Sequence, residues 1–140
     1  LTRQTRSLLP NITLSVTVPH ILELSQQVQL AEELVKAGAD IIQTEGGTSS
    51  TPTHAGTLGL IEKAAPTLAA AYEISRAVSV PVLCASGISS VTAPLAIAAG
   101  AAGVGVGSAI NQLNSEVAMV AAVRSLVEAL GTVRRDRVRA

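Results

Sequence analysis

Four segments with strand-like patterns each precede a segment with helical spacing, and this alternation most limits how the chain can fold. Strands are predicted at 12–18, 39–44, 81–85 and 100–110, and helices at 25–38, 58–65, 66–78, 89–99 and 114–130. An earlier helix is predicted to stop at Pro10, Ser25 to cap the next one, and Gly131 to end the last. Strands that alternate with helices form parallel sheets. The sequence therefore predicts an α/β fold of four parallel βα units.

The side chains opposite the apolar face of these strands are small or polar. In the first strand, Thr13, Ser15 and Thr17 alternate with four aliphatic residues. A doubly wound sheet, the alternative architecture, buries both strand faces and favours continuous apolar runs. Four βα units are half of a (β/α)8 barrel, which takes about 250 residues when complete. We therefore expect residues 1–140 to be one domain, the C-terminal half of a TIM barrel continuing an absent N-terminal half, with a solvated basic tail at 132–140.

The fourth predicted strand has one face without side chains. Two valines alternate along it with three glycines: Val104 and Val106, and Gly103, Gly105 and Gly107. An empty strand face is typical of a place where a neighbouring chain segment or a ligand comes very close. We therefore expect a close approach at this strand.

Charge and cysteine content exclude several classes of partner. The formal net charge is +0, which gives no basis for binding nucleic acid or an anionic membrane surface. No apolar run is long enough to cross a bilayer. Cys84 is the single cysteine, so no internal disulfide can form. Because a half barrel leaves its first and last strands as open edges, we expect a homo-oligomer.

Four motifs together resemble one protein family. They are Leu-Ser-Val-Thr-Val-Pro-His (14–20), Asp-Ile-Ile-Gln-Thr-Glu-Gly-Gly-Thr-Ser (40–49), Pro-Val-Leu-Cys-Ala-Ser-Gly (81–87) and Gly-Val-Gly-Val-Gly-Ser-Ala (103–109). The chain is similar along nearly its whole length to the hypothetical chloroplast reading frame twenty-three (ycf-type) family of cyanobacteria and algal plastids. The resemblance implies a TIM-barrel protein about twice this size, in the cyanobacterial cytosol or the plastid stroma. It implies no particular reaction.

Two turns also resemble the phosphate-binding loops that follow the last two strands of many barrels. Ser86, Gly87 and Ile88 would form the first loop, and Gly107 and Ser108 the second. Their backbone N–H groups would meet over one phosphate, supported by the positive end of the helix predicted at 89–99. The structural alternative is that these glycines only permit tight turns and close strand packing.

Candidate catalytic residues lie where the first two strands meet their loops. Glu45 shares a strand face with Gln43 and begins a long loop at 45–57, which is the usual position of a barrel's acid or base. His20 has the same position after the first strand. Burial under the loop should raise the pKa of Glu45. Capping of the loop by Glu45, and hydrogen bonds that hold His20 in its loop, are the structural alternatives.

The remaining reactive side chains point to simpler roles. His54 is expected to be a solvent-exposed loop histidine, with closure over a ligand as the alternative. Cys84 is expected to be a buried small hydrophobe. His20, His54 and Glu45 lack a recognisable metal-ligand spacing, so no metal site is predicted. No lysine lies on a predicted strand, since Lys63 belongs to a helix, and a Schiff base is not expected from this chain.

Two classes of function fit a phosphorylated small molecule as the partner. One is an enzyme that acts on a sugar phosphate, as a lyase, isomerase or synthase, or an FMN-dependent oxidoreductase that uses the same two loops. The other is a non-catalytic sensor of a phosphorylated metabolite. The reaction, the cofactor and the substrate stay open at this point.

Overall fold

The structure of the chain, a computed structural model, describes residues 1–46 and 51–138, with side chains as far as Gly131. Helices and strands alternate through these residues. In chain order they are α1 (Thr2–Leu8), β1 (Ser15–Val18), α2 (Leu24–Lys36), β2 (Ile41–Thr44), α3 (Gly56–Ala77), β3 (Val82–Ala85), α4 (Ala93–Ala98), β4 (Gly103–Gly105), α5 (Ser108–Asn111) and α6 (Glu116–Val138).

The four strands form one parallel sheet in sequence order. β1 pairs with β2, β2 with β3 and β3 with β4, and every pairing is parallel. Consecutive parallel strands joined by right-handed crossovers place their helices on the same side of the sheet. The predicted α/β class is confirmed, and the arrangement is that of half a (β/α)8 barrel.

Among the described residues, helices cover one face of the sheet only. Ile42, Val82 and Cys84 point toward the helices and are buried. Ser15 and Thr17, on the opposite face of β1, are exposed, and their neighbours on β2 and β3 are half-buried. We call this second side, which carries alternate residues of β1 to β4, the open face. The small and polar residues that the sequence placed opposite the apolar ones lie there.

The two glycines of β4 give room to side chains of β3. A Cβ atom added to Gly103 would lie 3.1 Å from Leu83 Cδ2, and one added to Gly105 would lie 3.1 Å from Ala85 Cβ. The predicted close approach at this strand is therefore made by the neighbouring strand. The strand itself is shorter than the predicted 100–110, because the chain enters α5 soon after Gly105.

Two threonines connect β2, α3 and β3 inside the core. Thr67 Oγ1 lies 2.6 Å from the carbonyl oxygen of Ala85, to which it donates, and 2.6 Å from Thr44 Oγ1. Because the Thr67 proton goes to that carbonyl, Thr44 donates to Thr67 and accepts the N–H of Ala85 at 3.3 Å. Both side chains are fully buried. This threonine bridge fixes α3 against the ends of two strands.

Arg6 connects the start of the chain to the end of the sheet at which β1 and β2 begin. The Arg6 guanidinium donates to the carbonyl oxygen of Gly38 at 2.8 and 3.0 Å and pairs with Asp40. Asp40 also accepts the N–H of Leu14 at 2.8 Å, and this bond, followed by Arg6, lowers the pKa of the carboxyl. The contact joins α1 to the starts of β1 and β2.

Three helix boundaries differ from the prediction. The two helices predicted at 58–65 and 66–78 are one helix, α3, with Pro66 inside it. Pro66 lies on the exposed side, where the carbonyl that loses its helical partner can bond to water. α2 begins two residues before the expected position, because Glu23, rather than Ser25, caps it in a capping box with Gln26. Gly131 does not end α6, which continues to Val138.

The fourth helix is also shorter than predicted. α4 starts at Ala93 rather than at Ser89, because Thr92 Oγ1 accepts the N–H of Ser89 at 2.9 Å and holds a turn there. Residues 47–50 of the predicted loop at 45–57, and the side chains of the predicted basic tail at 132–140, lie outside the described residues.

The threonine bridge predicts that removal of one hydroxyl group lowers the free energy of unfolding. Thr67→Val keeps the side-chain shape but leaves the Ala85 carbonyl and the Thr44 hydroxyl without this partner, which should lower the free energy of unfolding by about 1–3 kcal/mol. Urea unfolding followed by circular dichroism measures the change. Thr57→Val, at an exposed position of the same helix, is the control and should stay within about 0.5 kcal/mol of the unmodified chain. Equal effects of the two substitutions would contradict the role of the bridge.

Candidate functional site

The carboxyl ends of all four strands lie at one edge of the sheet, which we call the C-terminal edge. Parallel strands in register bring the loops that follow them together, and barrel proteins place their functional residues there. The strand ends here are Val18, Thr44, Ala85 and Gly105. His20, Glu45 and the five residues predicted to bind phosphate follow these four positions closely, so the structure places them along this edge, whereas Gln43 lies within β2.

A cavity of about 350 Å³ lies at this edge beside β3 and β4. Its walls come from the loop after β3, the loop after β4 and the first half of α3. All five residues predicted to bind phosphate contribute to its lining: Ser86, Gly87, Ile88, Gly107 and Ser108. The two loops that were predicted from the sequence to meet over one phosphate therefore line the same cavity.

The first loop has an unusual backbone at two successive residues. Ser86 has φ 75° and Gly87 has φ 76°, a region that costs a non-glycine residue about 1–3 kcal/mol. The Ser86 hydroxyl donates to the carbonyl oxygen of Gly46, which holds this conformation. A Cβ atom on Gly87 would lie 2.7 Å from the Lys63 carbonyl oxygen, so only glycine allows α3 to pack here.

Ile88 anchors the same loop to the core. Its side chain is buried among the helices and strands, while the residue also lines the cavity. The turn from Ser89 to Thr92 follows, with the Ser89 N–H already bonded to Thr92. Because α4 has only six residues and begins after this turn, the predicted support from a helix N-terminus at residue 89 was wrong.

The second loop leaves open space above its glycine. Gly107 precedes α5, and its carbonyl oxygen accepts the N–H of Ile110 at 2.9 Å and of Asn111 at 3.1 Å. A Cβ atom added to Gly107 would meet no atom within 4 Å, and the φ of −114° is one that any residue adopts. A side chain introduced here would therefore meet open space at its first atom.

Lys63 is the site residue that sequence reasoning missed. It lines the cavity together with Leu60, three residues earlier on the same side of α3. The expectation from the sequence concerned lysines on strands only. The position of Lys63 in its helix could have identified it. A helix that returns from the C-terminal edge keeps its first two turns beside that edge, and Lys63 lies in the second turn of α3.

His20 and Glu45 form a pair at the same edge, beside β1 and β2. His20 Nδ1 lies 2.9 Å from Glu45 Oε2, which also accepts the backbone N–H of His20 at 3.2 Å. A carboxylate only accepts hydrogen bonds, so Nδ1 carries a proton in this contact. The His20 side chain is 15% exposed and that of Glu45 is 42% exposed. The structure therefore brings together two residues that the sequence selected separately.

The hydrogen bonds from His20 lower the pKa of Glu45. The side-chain bond has the largest effect, the backbone bond adds to it, and burial opposes both only weakly. The expectation that burial raises this pKa was wrong, because the carboxyl remains partly exposed and has a donor beside it. Glu45 is therefore ionised at neutral pH and suits the orientation of His20.

The other three residues considered in the sequence, Gln43, His54 and Cys84, lie apart from the cavity and from the His20–Glu45 pair. Gln43 lies on the open face, paired in register with Thr17 and Leu83. His54 is exposed, as expected, and its Nδ1 lies 2.6 Å from Glu62 Oε1. Cys84 is buried, also as expected, and burial raises the pKa of its thiol.

Two kinds of feature are absent from the part of the chain that the structure describes. No cluster of three or more histidine, cysteine, aspartate or glutamate side chains there is placed to hold a metal ion. No helix there combines the length and the apolar character that crossing a bilayer requires.

The fold and the cavity define an α/β protein of four parallel βα units with a loop-lined pocket at the C-terminal edge of its sheet. The family described as "Protein of unknown function (DUF561)" matches residues 1–136, and the chain belongs to it. This membership confirms the family resemblance carried by the four motifs.

Curated relatives carry the name "Uncharacterized protein ycf23". The one from Porphyra purpurea is 44% identical over 120 residues, which are 86% of this chain and 45% of the relative. The one from Cyanophora paradoxa is 42% identical over 120 residues, 86% of this chain and 49% of the relative. The one from Cyanidium caldarium is 32% identical over 134 residues, 96% of this chain and 54% of the relative. The chain thus spans about half the length of the curated relatives it matches.

The His20–Glu45 contact predicts a specific titration. Because the folded-state pKa of Glu45 is lowered, the contact stabilises the fold above the ordinary glutamate pKa, and this stabilisation is lost as the pH falls through the folded-state value. Carbon NMR of the Glu45 carboxyl should give a pKa below that of free glutamate. His20→Phe should move the value upward, and His54→Phe should leave it unchanged. A Glu45 pKa above the ordinary value would contradict the geometry.

Proposed function

We propose that this chain binds the phosphoryl group of a small metabolite in the cavity between the loops after β3 and β4. The observation that carries the proposal is the lining of that cavity. It combines the two glycine-containing loops with Lys63 and the hydroxyl of Ser108. Barrel proteins use the loops after two neighbouring strands for phosphate in the same way. As the place of action we propose the cyanobacterial cytosol or the plastid stroma, on the basis of the family resemblance.

The chemistry of the lining favours an anion over an apolar ligand. Hydroxyl groups and backbone N–H groups donate hydrogen bonds to phosphate oxygens, and a lysine adds a positive charge. No acidic residue is among those that line the cavity. The strained backbone of Ser86, whose hydroxyl donates to Gly46, supports the same assignment, because such conformations are kept at functional sites.

A carboxylate placed in the cavity should prevent binding. Gly107→Asp introduces a negative charge into the open space beside the proposed phosphate. At a separation of about 4 Å the repulsion would be about 1–4 kcal/mol, which should weaken binding about fivefold to several hundredfold. Calorimetry with inorganic phosphate and with dihydroxyacetone phosphate measures the affinity.

The matched control is Gly131→Asp, because Gly131 also has open space around it but lies on α6, outside the cavity lining. It should bind phosphate as the unmodified chain does. Unchanged affinity in Gly107→Asp, or an equal loss in both variants, would show that phosphate does not occupy this cavity.

Proton transfer on the bound ligand is a second candidate function, and the His20–Glu45 pair favours it. Neighbouring strands lie about 4.8 Å apart, so along the same edge Glu45 lies about 5–10 Å and His20 about 10–14 Å from the two strands beside the cavity. A carboxylate that accepts from Nδ1 fixes the orientation of an imidazole, as in many acid–base sites. We propose His20 as the acid or base and Glu45 as its positioning residue. If the chain has no such activity, the same cavity would be the ligand site of a non-catalytic sensor of a phosphorylated metabolite.

The two candidate functions differ in a solvent-exchange experiment. If the chain catalyses proton transfer, dihydroxyacetone phosphate in deuterated water should gain deuterium, as proton NMR detects. His20→Gln should slow the exchange about 100-fold or more, with phosphate affinity changed less than twofold. His54→Gln is the control and should exchange at the original rate. Absence of exchange in the unmodified chain, with phosphate binding retained, would favour the sensor.

A further inference from the structure

One row of residues crosses the open face shortly before the C-terminal edge. The register of the three strand pairs aligns a single residue from each strand in this row: Thr17, Gln43, Leu83 and Gly103. Two residues further along, β3 and β4 end at the edge where the cavity lies. We call the four residues the open-face row. Its members on β1 and β2 are polar, whereas its members on β3 and β4 are apolar or carry no side chain.

The Gln43 side chain has hydrogen-bonding groups that no described residue uses. Gln43 is half-buried on the inner strand β2, yet no hydrogen bond joins its side-chain amide to another residue of the ranges 1–46 and 51–138. The atoms of this amide are not among the fully buried polar atoms that lack a partner, so they reach the surface of the open face. A half-buried amide without a protein partner is costly, which favours a ligand group as its partner.

Thr17 adds a hydroxyl group beside this amide. It is exposed and lies opposite Gln43 on the neighbouring strand, about 4.8 Å away. A hydroxyl group and an amide each donate and accept hydrogen bonds, and neither carries a charge. Together they suit the hydroxyl and carbonyl groups of a ligand better than a charged group, for which ionised partners form the stronger hydrogen bonds.

The next residue of the open-face row leans away from Gln43. Leu83 Cδ2 lies 3.1 Å from the place that a Cβ atom on Gly103 would take, so the end of the leucine side chain extends over β4. The missing side chain of Gly103 gives it this room. The open face therefore has an apolar surface on the β4 side and polar groups on the β1 side. A sugar fits such a surface, because it carries hydroxyl groups along its edges and C–H groups on its faces.

The distance between Gln43 and the cavity limits the size of such a ligand. Gln43 lies one strand away from Ala85, the last residue of β3, and two residues further from the C-terminal edge. The strand spacing and the rise per residue then give about 8 Å between the two positions. A phosphate alone does not span this distance, whereas a phosphate carried by a chain of several carbons does.

We propose that Gln43 and Thr17 bind the hydroxyl or carbonyl groups of a sugar phosphate whose phosphoryl group occupies the cavity. Leu83 contacts the C–H groups of the same sugar. The proposal rests on the phosphate site proposed above, and it adds the class of ligand and the residues that select it. Gln43 is the specificity-determining residue, because its amide distinguishes a sugar phosphate from an alkyl phosphate of the same length.

The test compares ligands that share the phosphoryl group. Calorimetry measures the affinity of the chain for inorganic phosphate, pentyl phosphate, ribose-5-phosphate and fructose-6-phosphate. At least one of the two sugar phosphates should bind about tenfold more tightly than inorganic phosphate and pentyl phosphate, because only the sugars supply partners for the amide and the hydroxyl.

Gln43→Leu keeps roughly the size of the side chain and removes its hydrogen bonds. It should weaken the binding of that sugar phosphate about tenfold and leave the affinity for inorganic phosphate within about twofold, which also shows that the variant folds. Gln29→Leu, the same change at an exposed position of α2, is the matched control and should leave both affinities unchanged.

A second measurement does not depend on any variant. In the nitrogen-15-labelled chain, the side-chain amide signals of Gln43 should shift with the sugar phosphate and stay in place with inorganic phosphate. Sugar phosphates that bind no more tightly than inorganic phosphate, an equal loss of both ligands in Gln43→Leu, or unshifted Gln43 signals would overturn this proposal and leave the phosphate site standing. If inorganic phosphate itself does not bind, the phosphate site fails and this proposal fails with it.

Discussion

Consecutive parallel strands are joined almost only by right-handed crossovers, and this constraint determines where the helices of the chain lie. With the strands in the order β1 to β4, each crossover returns over the same face of the sheet. That face holds the core, and the other face keeps small and polar side chains. The same constraint collects all four carboxyl strand ends at one edge, which is where the two cavity loops and the His20–Glu45 pair meet.

The cavity depends on polar contacts that lie beneath it. The threonine bridge of Thr44 and Thr67 fixes α3 against β2 and β3, and this places the second turn of α3, with Lys63, beside the loop after β3. The Ser86 hydroxyl then joins that loop to Gly46. In a buried setting each of these bonds is costly to remove. The shape of the cavity is therefore set by the core and is not left to the loops alone.

Local patterns in the sequence were enough to predict the alternation of strands and helices, the parallel sheet and the two loops that line the cavity. They failed where a tertiary contact outweighed a local preference. Pro66 interrupts a helical pattern, but its exposed position allows α3 to continue. Glu45 looked like a base with a raised pKa, whereas a histidine 25 residues earlier in the chain lowers it. Lys63 has no local pattern that marks it, and only the direction of α3 relative to the sheet brings it to the cavity.

The central claim, that the loops after β3 and β4 form one phosphate site, can be mapped residue by residue. The measurement is a titration of the nitrogen-15-labelled chain with inorganic phosphate, followed through the backbone amide signals. The account predicts saturable shifts at Gly87, Ile88, Gly107 and Ser108, and none at Ile41, at the opposite edge of the sheet. Shifts confined to other surfaces, or no saturable shift at either loop, would contradict it.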